Sequence, residues 1–371
     1  MSFDVIVLGL GIMGSAAAYE LASRGLRVLG LDAFEPGHAR GSSHGTSRSI
    51  RKAYFQAPDY VPLVERAYTR WQQLEAESGE ALLRVTGTLL VGSPKSGHIA
   101  GTISTATRNG LPFELVEQRE VSQRFPGFRL DGDLTAVFEP SGGVLHAERC
   151  LATVQARAHH IGAQLHQGEA VRRWAADGAG LLVETDQASH TADRLIVTAG
   201  PWAGSVLSEL GLPLSVRRVV NIFVAPTRPE FYAPESCPTY AMALPEGEYY
   251  GMPDHGVKIG RHDVGEVCTP DTVRRDVDAE EIAMFMAVLE RHLPGARGQV
   301  TSTLTCLYTM TPDKHFVIDK HPHDPRVVYA CGFSGHGFKF APVIGEVLAD
   351  LALHGRTDQP VDFLSAARFS P

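Results

Sequence analysis

The chain has 371 residues, 44% of them hydrophobic and 20% charged, with a net charge of −8 at pH 7. That composition is globular, its acidity and lack of any basic run exclude nucleic acid as a partner, and its length predicts two closely joined lobes. Five cysteines, odd in number, widely spaced and without a CxxC pair, exclude a disulfide framework and a zinc ribbon.

Residues Phe3 to Leu8 form a short apolar run that stops at Gly9-Leu10-Gly11-Ile12-Met13-Gly14. A helical stretch, Ser15 to Arg24, closes at Gly25 and gives way to Val28-Leu29-Gly30-Leu31-Asp32. Strand, glycine turn, helix and a second strand ending in an acid make up the βαβ dinucleotide fingerprint. Gly9 permits the tight turn, Gly11 lets backbone approach a pyrophosphate, and Gly14 lets helix and strand pack closely. The helix N-terminus offers N–H groups to phosphate, and Asp32 can accept from a ribose hydroxyl. These residues serve NAD and FAD equally well.

The start enters a strand at once, with no signal-like segment or run of membrane-spanning length, so a cytoplasmic enzyme is expected. After Asp32 a loop rich in Gly, Ser and His, Ala33 to Arg48, could wrap a bound dinucleotide. Tyr60 to Ser78 repeats Val61, Leu63, Val64, Ala67, Trp71 and Leu74 at helical spacing. Leu83 to Val91 reads as a strand pair, Gly101 to Asn109 as a helix, and residues 136–138 and 144–145 as strands about the turn Pro140 to Gly143. A helix over Ala147 to Ile161 leads through strands at Val171 and Leu181 to the apolar strand Leu195 to Ala199, which ends at Gly200, with Pro201-Trp202-Ala203 opening a helix. Such a strand can return to the nucleotide sheet, so that fold is predicted to be split in sequence.

Strands then dominate: Val219 to Val224, Tyr249 to Gly251 and Val257 to Gly260, with a helix at Ala279 to His292. Cys306 to Thr309, Phe316 to Asp319 and Val327 to Ala330 follow, and a glycine loop, Gly332 to Lys339, runs into a helix from Ala341. The histidines, among them His159-His160 and His321-Pro322-His323, have no metal-ligand spacing, and no metal is expected.

Taken together, the fingerprint, Gly41 to Arg51 followed by Tyr60-Val61-Pro62-Leu63, Lys258 to His262, Cys306-Leu307-Tyr308-Thr309 and Gly332 to Phe340 are similar to one family. The chain resembles the monomeric sarcosine oxidase and N-methyltryptophan oxidase group of FAD-dependent amine oxidases over nearly its whole length. The resemblance implies an α/β, D-amino-acid-oxidase-like fold: a Rossmann-like FAD domain (1–80, 145–215 and 320–371) and a sheet-rich α+β substrate domain (81–144 and 216–319). It implies FAD joined through an 8α-S-cysteinyl bond at Cys306, with Arg48 or His44 supplying the cationic surroundings that thiolate chemistry requires.

It further implies that Gly9, Gly11, Gly14, Asp32, Ser42, His44, Gly200, Gly335, Gly337 and Phe338 line the cofactor. Backbone donors of the Gly335 to Lys339 turn would face the negative charge of the reduced ring. Arg51 and Lys339 would hold a substrate carboxylate, with Tyr250 and His336 beside it. Lys258 would promote reaction with oxygen, with Arg48, His262 and Tyr308 as the other catalytic groups. The implied reaction is oxidative demethylation of a secondary amino acid such as sarcosine, giving amino acid, formaldehyde and hydrogen peroxide, in a monomer without membrane or nucleic-acid partners.

Alternatives within the fold are N-methyl-L-tryptophan and cyclic imino acids such as pipecolate or proline. Outside it stand an NAD-dependent dehydrogenase and a non-catalytic dinucleotide-binding subunit. Ser43, Thr46 and Met252 depart from the family, whose close members carry a second histidine, an aspartate and a phenylalanine there. These departures bear on substrate size.

Overall fold

The computed structural model describes residues 2–262 and 265–369. Its first sheet has eight strands, with the order Val171–Asp177, Gly180–Thr185, Ser189–Val197, Ser2–Leu8, Val28–Asp32, Gln164–Gln167. The C-terminal half of Ser189–Val197 also pairs in parallel with Asp324–Cys331, which carries Val317–His321. Ser2–Leu8 sits between two parallel partners, with Leu8 opposite Val197 on one side and Leu31 on the other. Covered on both faces, Val5, Ile6 and Val7 are fully buried, which explains a continuous apolar run without alternation.

The helix Ile12–Ser23 is buried nearly all round. Its three consecutive alanines keep it thin, and Gly345 of the helix Ala341–His354 packs so near that a Cβ there would lie 2.6 Å from the Ala16 carbonyl carbon. Strands from three distant stretches thus build one sheet.

The second sheet has nine strands and follows the order Glu266–Cys268, Ser215–Val224, Val257–Arg261, Gly247–Pro253, Thr239–Leu244, Thr88–Gly92, Thr135–Glu139, Glu114–Val116. Val300–Met310 runs antiparallel along Ser215–Val224 and sets Cys306 opposite Val219. The helix Ala279–His292 starts at a reciprocal Asp278–Glu281 capping box and buries Phe285, Val288 and Leu289 with this sheet's core. A small third sheet, Ser47–Ile50, Gly143–His146 and Leu83–Val85, completes the set.

Four local expectations change. Leu83–Val85 and Thr88–Gly92 do not pair with each other but belong to different sheets, divided at Gly87 with φ 75°. Thr135–Glu139 and Gly143–His146 divide in the same way. Ser47–Ile50, expected as loop, is a strand because Gly143–His146 supplies its ladder. The helix expected after Gly200 amounts to a 3₁₀ turn, Gly200–Trp202, and one short turn, Ala203–Val206.

Candidate active site

The loop after Asp32 leads from the first sheet to the third and is bonded on its way to the second through Ser42 and His44, and a cavity of about 1040 Å³ lies along it. At one end are Gly11, Asp32 and Trp202; at the other, Cys306, Lys258, Arg51 and Lys339. Gly9 has φ 91°, and a Cβ there would lie 2.4 Å from the Thr198 carbonyl oxygen. A Cβ on Gly14 would lie 1.8 Å from the Gly9 oxygen, so neither position can carry a side chain. Asp32 is oriented by Leu10 N–H (2.7 Å) and Phe34 N–H (3.0 Å), one on each carboxylate oxygen. Gly200, with φ 52°, contributes backbone to the same wall. Ser43 accepts the Ile12 N–H at 3.0 Å and caps the helix where Gly11 has no side chain. A Cβ-free cradle, a fixed acid and an elongated cavity fit a dinucleotide.

At the far end Cys306 is 5% exposed, with Sγ 4.0 Å from Arg48 Nη2. Among the described residues, every oxygen that Arg48 bonds is a neutral carbonyl: Ser47 at 2.8 Å, Ser42 at 3.1 Å and His44 at 2.6 Å. Its guanidinium also lies 5.5 Å from the centre of the Phe338 ring. Its charge is therefore not cancelled by a bonded carboxylate. Ser42 donates to the Leu307 carbonyl at 2.7 Å, tying the loop to the cysteine strand. His44 Nε2 meets the Thr305 carbonyl at 3.0 Å while Nδ1 has no hydrogen-bond partner among the described residues, and burial beside Arg48 lowers the ring to a pKa of about 4. His44 is thus neutral, and Arg48 supplies the positive charge near Cys306.

Lys258 is 2% exposed and projects from the second sheet towards the strand Ser47–Ile50. Its Nζ donates to the Ser47 carbonyl (2.9 Å) and hydroxyl (3.2 Å), and burial next to Arg48 brings its pKa down to about 7. The Ser47 and Thr46 hydroxyls both donate to Asp254 Oδ2.

Arg51 and Lys339 are 8% and 6% exposed, and neither has a carboxylate partner among the described residues. Arg51 bonds the Ala53 carbonyl at 3.0 Å and Gln56 at 3.4 Å, between the Tyr54 and Phe55 rings. Lys339 donates to the His336 carbonyl at 2.8 Å and to the Tyr54 hydroxyl at 3.3 Å. Burial first, then Arg51, lowers the Lys339 pKa well below that of a free lysine. Both nitrogens of His336 are engaged, Nδ1 with Tyr54 (2.7 Å) and Nε2 with the Lys314 carbonyl (2.9 Å). His336 therefore lines the cavity while its hydrogen-bonding capacity is spent on supporting Tyr54.

On the opposite wall His262, Tyr308, Tyr250 and Asn221 form a chain: Nδ1 to Tyr308 3.4 Å, Tyr308 to Tyr250 3.3 Å, Tyr250 to Asn221 Oδ1 2.8 Å. The Asn221 acceptor sets its direction, so His262 donates from Nδ1. Burial keeps that ring neutral, with a pKa of about 4. Gly335, with φ 78°, leaves 2.3 Å between its ideal Cβ position and the Tyr308 ring, and Gly337 leaves 2.6 Å to Phe333. The terminal glycine loop thereby packs its backbone against the tyrosine wall.

Sequence reading missed Ser47, Tyr54, Asn221 and Asp254. Tyr54 follows the Arg51 motif closely enough to have been found; Asp254 shows no local signal. His166, Glu169 and His190 lie outside any expected metal spacing, yet their ligand-type atoms fall within 4.8 Å of one another. Both Glu169 oxygens are occupied, by His166 Nδ1 at 2.9 Å and His190 Nε2 at 2.7 Å. The cluster closes as hydrogen bonds.

The family of FAD dependent oxidoreductases of the DAO type matches residues 4–351. Monomeric sarcosine oxidase of Streptomyces avermitilis is 40% identical, over 100% of this chain and 98% of the relative. N-methyl-L-tryptophan oxidase of Yersinia pestis is 33% identical over the full length of both chains. Among solved structures, the open form of NikD, an amino acid oxidase of nikkomycin biosynthesis, superposes with a TM-score of 0.88 at 26% identity, covering 98% of this chain and 97% of that one.

Proposed function

The chain belongs to the DAO family of FAD-dependent oxidoreductases, and on that premise we propose that it is an oxidase of N-methyl amino acids of the sarcosine oxidase type. The observation that carries this reading is the basic pair Arg51 and Lys339, buried in the cleft with no carboxylate bonded to either among the described residues. Such a pair is costly to bury and suits an anionic substrate group. The cofactor would lie from the Gly9–Gly14 turn and Asp32, past Ser42, His44 and Gly200, to Gly335, Gly337 and Phe338. Residues 1–80, 145–215 and 320–371 would hold it, and 81–144 and 216–319 would close over the substrate. Cys306 Sγ, beside Arg48, would form the thioether to the flavin 8α carbon.

FAD held there would supply a two-electron acceptor for the hydride equivalent on the carbon next to nitrogen, with oxygen as the final acceptor and peroxide as the product. The protein does the remainder. Arg51 meets the substrate carboxylate with a planar fork and Lys339 with a point charge, fixing the amine end towards the tyrosine wall. The same positive charges, with Arg48, oppose protonation of the amine and favour the neutral form that can be oxidised. His262 is neutral and Tyr308 and Tyr250 hydrogen-bond in one direction, so this wall orients the amine without adding charge. Lys258 holds a proton at Nζ where positive potential aids electron transfer to oxygen.

A larger N-methyl amino acid is the second reading. Met252 and Met242 line the cavity, and methionine adapts to bulk that a phenylalanine would exclude. We take the enzyme to act in the cytoplasm as a monomer. Oxygen uptake and peroxide release with sarcosine and a series of N-methyl and cyclic secondary amino acids test the assignment, and turnover of none of them would refute it. Acid precipitation tests the attachment: yellow colour stays with the wild-type pellet and is released from Cys306→Ser.

A further inference from the structure

Lys258 occupies the middle of the second sheet, between Phe223 and Met252 on neighbouring strands, yet it makes its hydrogen bonds to Ser47 in a different sheet. The Ser47 side chain has a single hydroxyl hydrogen, and Asp254 Oδ2 receives it. Ser47 Oγ can then only accept from Lys258, which makes the chain directional: Lys258 Nζ–H to Ser47 Oγ–H to Asp254 Oδ2. The Thr46 hydroxyl converges on the same carboxylate oxygen. Asp254 is 9% exposed and held by its turn, where its N–H bonds the Gly256 carbonyl at 3.0 Å and His255 has φ 50°.

A buried carboxylate is costly unless it balances charge. The charges around Lys258 are Arg48, which opposes its proton, and Asp254, Cys306 and Glu148, which favour it. Glu148 accepts the Gly45 N–H at 3.2 Å and so is partly engaged elsewhere. His146 is also near enough to feel the Asp254 charge, together with those of Arg149, Arg84 and His255. Thr46 is where close members of the family carry an aspartate. Here the carboxylate comes from the far side of the same hydroxyl pair.

We propose that Asp254 is a positioning residue for Lys258: acting through Ser47, it fixes the direction of the Nζ hydrogens and supplies the negative charge that keeps this lysine protonated beside Arg48. The proposal rests on the assignment of Lys258 to the flavin-facing wall. A purely structural Asp254 would pin the loop Gly41 to Thr46 and leave the proton affinity of Lys258 unchanged.

The test is a pH titration of the visible absorption of the bound flavin in holoenzyme, with rapid-mixing measurement of reoxidation by oxygen across the same range. Wild type should show a transition in the neutral range that Lys258→Met lacks. Asp254→Asn should move it down by about one pH unit and slow reoxidation at pH 8 by about tenfold. Reduction by substrate under anaerobic conditions should change little. Combining Thr46→Asp with Asp254→Ser should restore the wild-type midpoint that Asp254→Ser alone loses. Coincident midpoints for wild type and Asp254→Asn, or a double variant that stays at the Asp254→Ser value, would overturn the proposal. Failure of the underlying assignment looks different: Lys258→Met would keep both the transition and the oxygen rate, and the role of Asp254 would fall with it.

Discussion

Arg51 and Lys339 share Tyr54: the guanidinium lies 5.0 Å from the ring centre, and the lysine Nζ lies 3.3 Å from the phenolic oxygen. Because His336 Nε2 faces a carbonyl, Nδ1 is the acceptor for the Tyr54 hydroxyl, and Tyr54 in turn accepts from Lys339. Two basic groups are thus held on one aromatic support whose hydrogen directions are fixed.

Replacing Arg51 or Lys339 by Met should weaken binding of a carboxylate substrate analogue about 10- to 100-fold, the value of a charge-assisted hydrogen bond. The melting temperature of substrate-free Lys339→Met should hold or rise, since Met fills the buried position without the cost of desolvating a charge. Calorimetry checks both effects. Lower stability together with unchanged affinity would contradict the assignment.

Carboxylate binding should take up a proton. Burial lowers the Lys339 pKa in the free enzyme, and an adjacent anion raises it. Between those two values the ligand brings a proton with it, so affinity should fall as pH rises. Titration of the analogue in buffers of different ionisation enthalpy measures the uptake, which Lys339→Met should abolish.

The pH dependence of stability has two windows. His44, His98 and His262 are held by burial near pKa 4 against an ordinary 6.5, so the unfolded chain binds more protons between pH 6.5 and 4. Stability should therefore fall as pH falls through that range. Lys258, near 7 when folded against 10.5, and Lys339, also lowered by burial, leave the unfolded chain with more protons above pH 7, so stability should rise with pH up to about 9, where the Cys150, Cys237 and Cys331 thiols, raised by burial, begin to act in the opposite direction. Melting temperatures across pH should show both limbs, with Lys258→Met flattening the upper one.

Gly14→Ala should give protein without flavin, because its Cβ would meet the Gly9 oxygen in the cofactor turn. Gly335→Ala should instead disturb the tyrosine wall by pressing on the Tyr308 ring from a backbone with positive φ. Flavin content separates the two variants: low in the first, retained with impaired turnover in the second.

The opening βαβ unit was legible because its turn permits few residue types: Gly9 and Gly14 have no room for a Cβ, and that constraint shows in a single stretch of sequence. Ser47–Ile50 was not legible as a strand, since Ser-Arg-Ser-Ile has no alternation and depends on partners near residue 145. Thr239–Leu244 went unread although it is a strand of the second sheet, paired in parallel with Thr88–Gly92 about 150 residues away. The family motifs picked out Arg51, Lys258, Cys306 and Lys339 separately. Asp254 could not be found that way, since its partners are 207 and 208 residues distant and Thr46 interrupts the motif that would have pointed to it.

The most direct test of the central claim is anaerobic mixing of the purified yellow protein with sarcosine or a larger N-methyl amino acid, and separately with a secondary amine of similar size that lacks the carboxylate. With Arg51 and Lys339 holding the carboxylate, the amino acid should bleach the flavin band, air should restore it with peroxide release, and the carboxylate-free amine should bleach it at least about tenfold more slowly. Equal bleaching by both, or by neither, would contradict an amino acid oxidase whose substrate is held by Arg51 and Lys339.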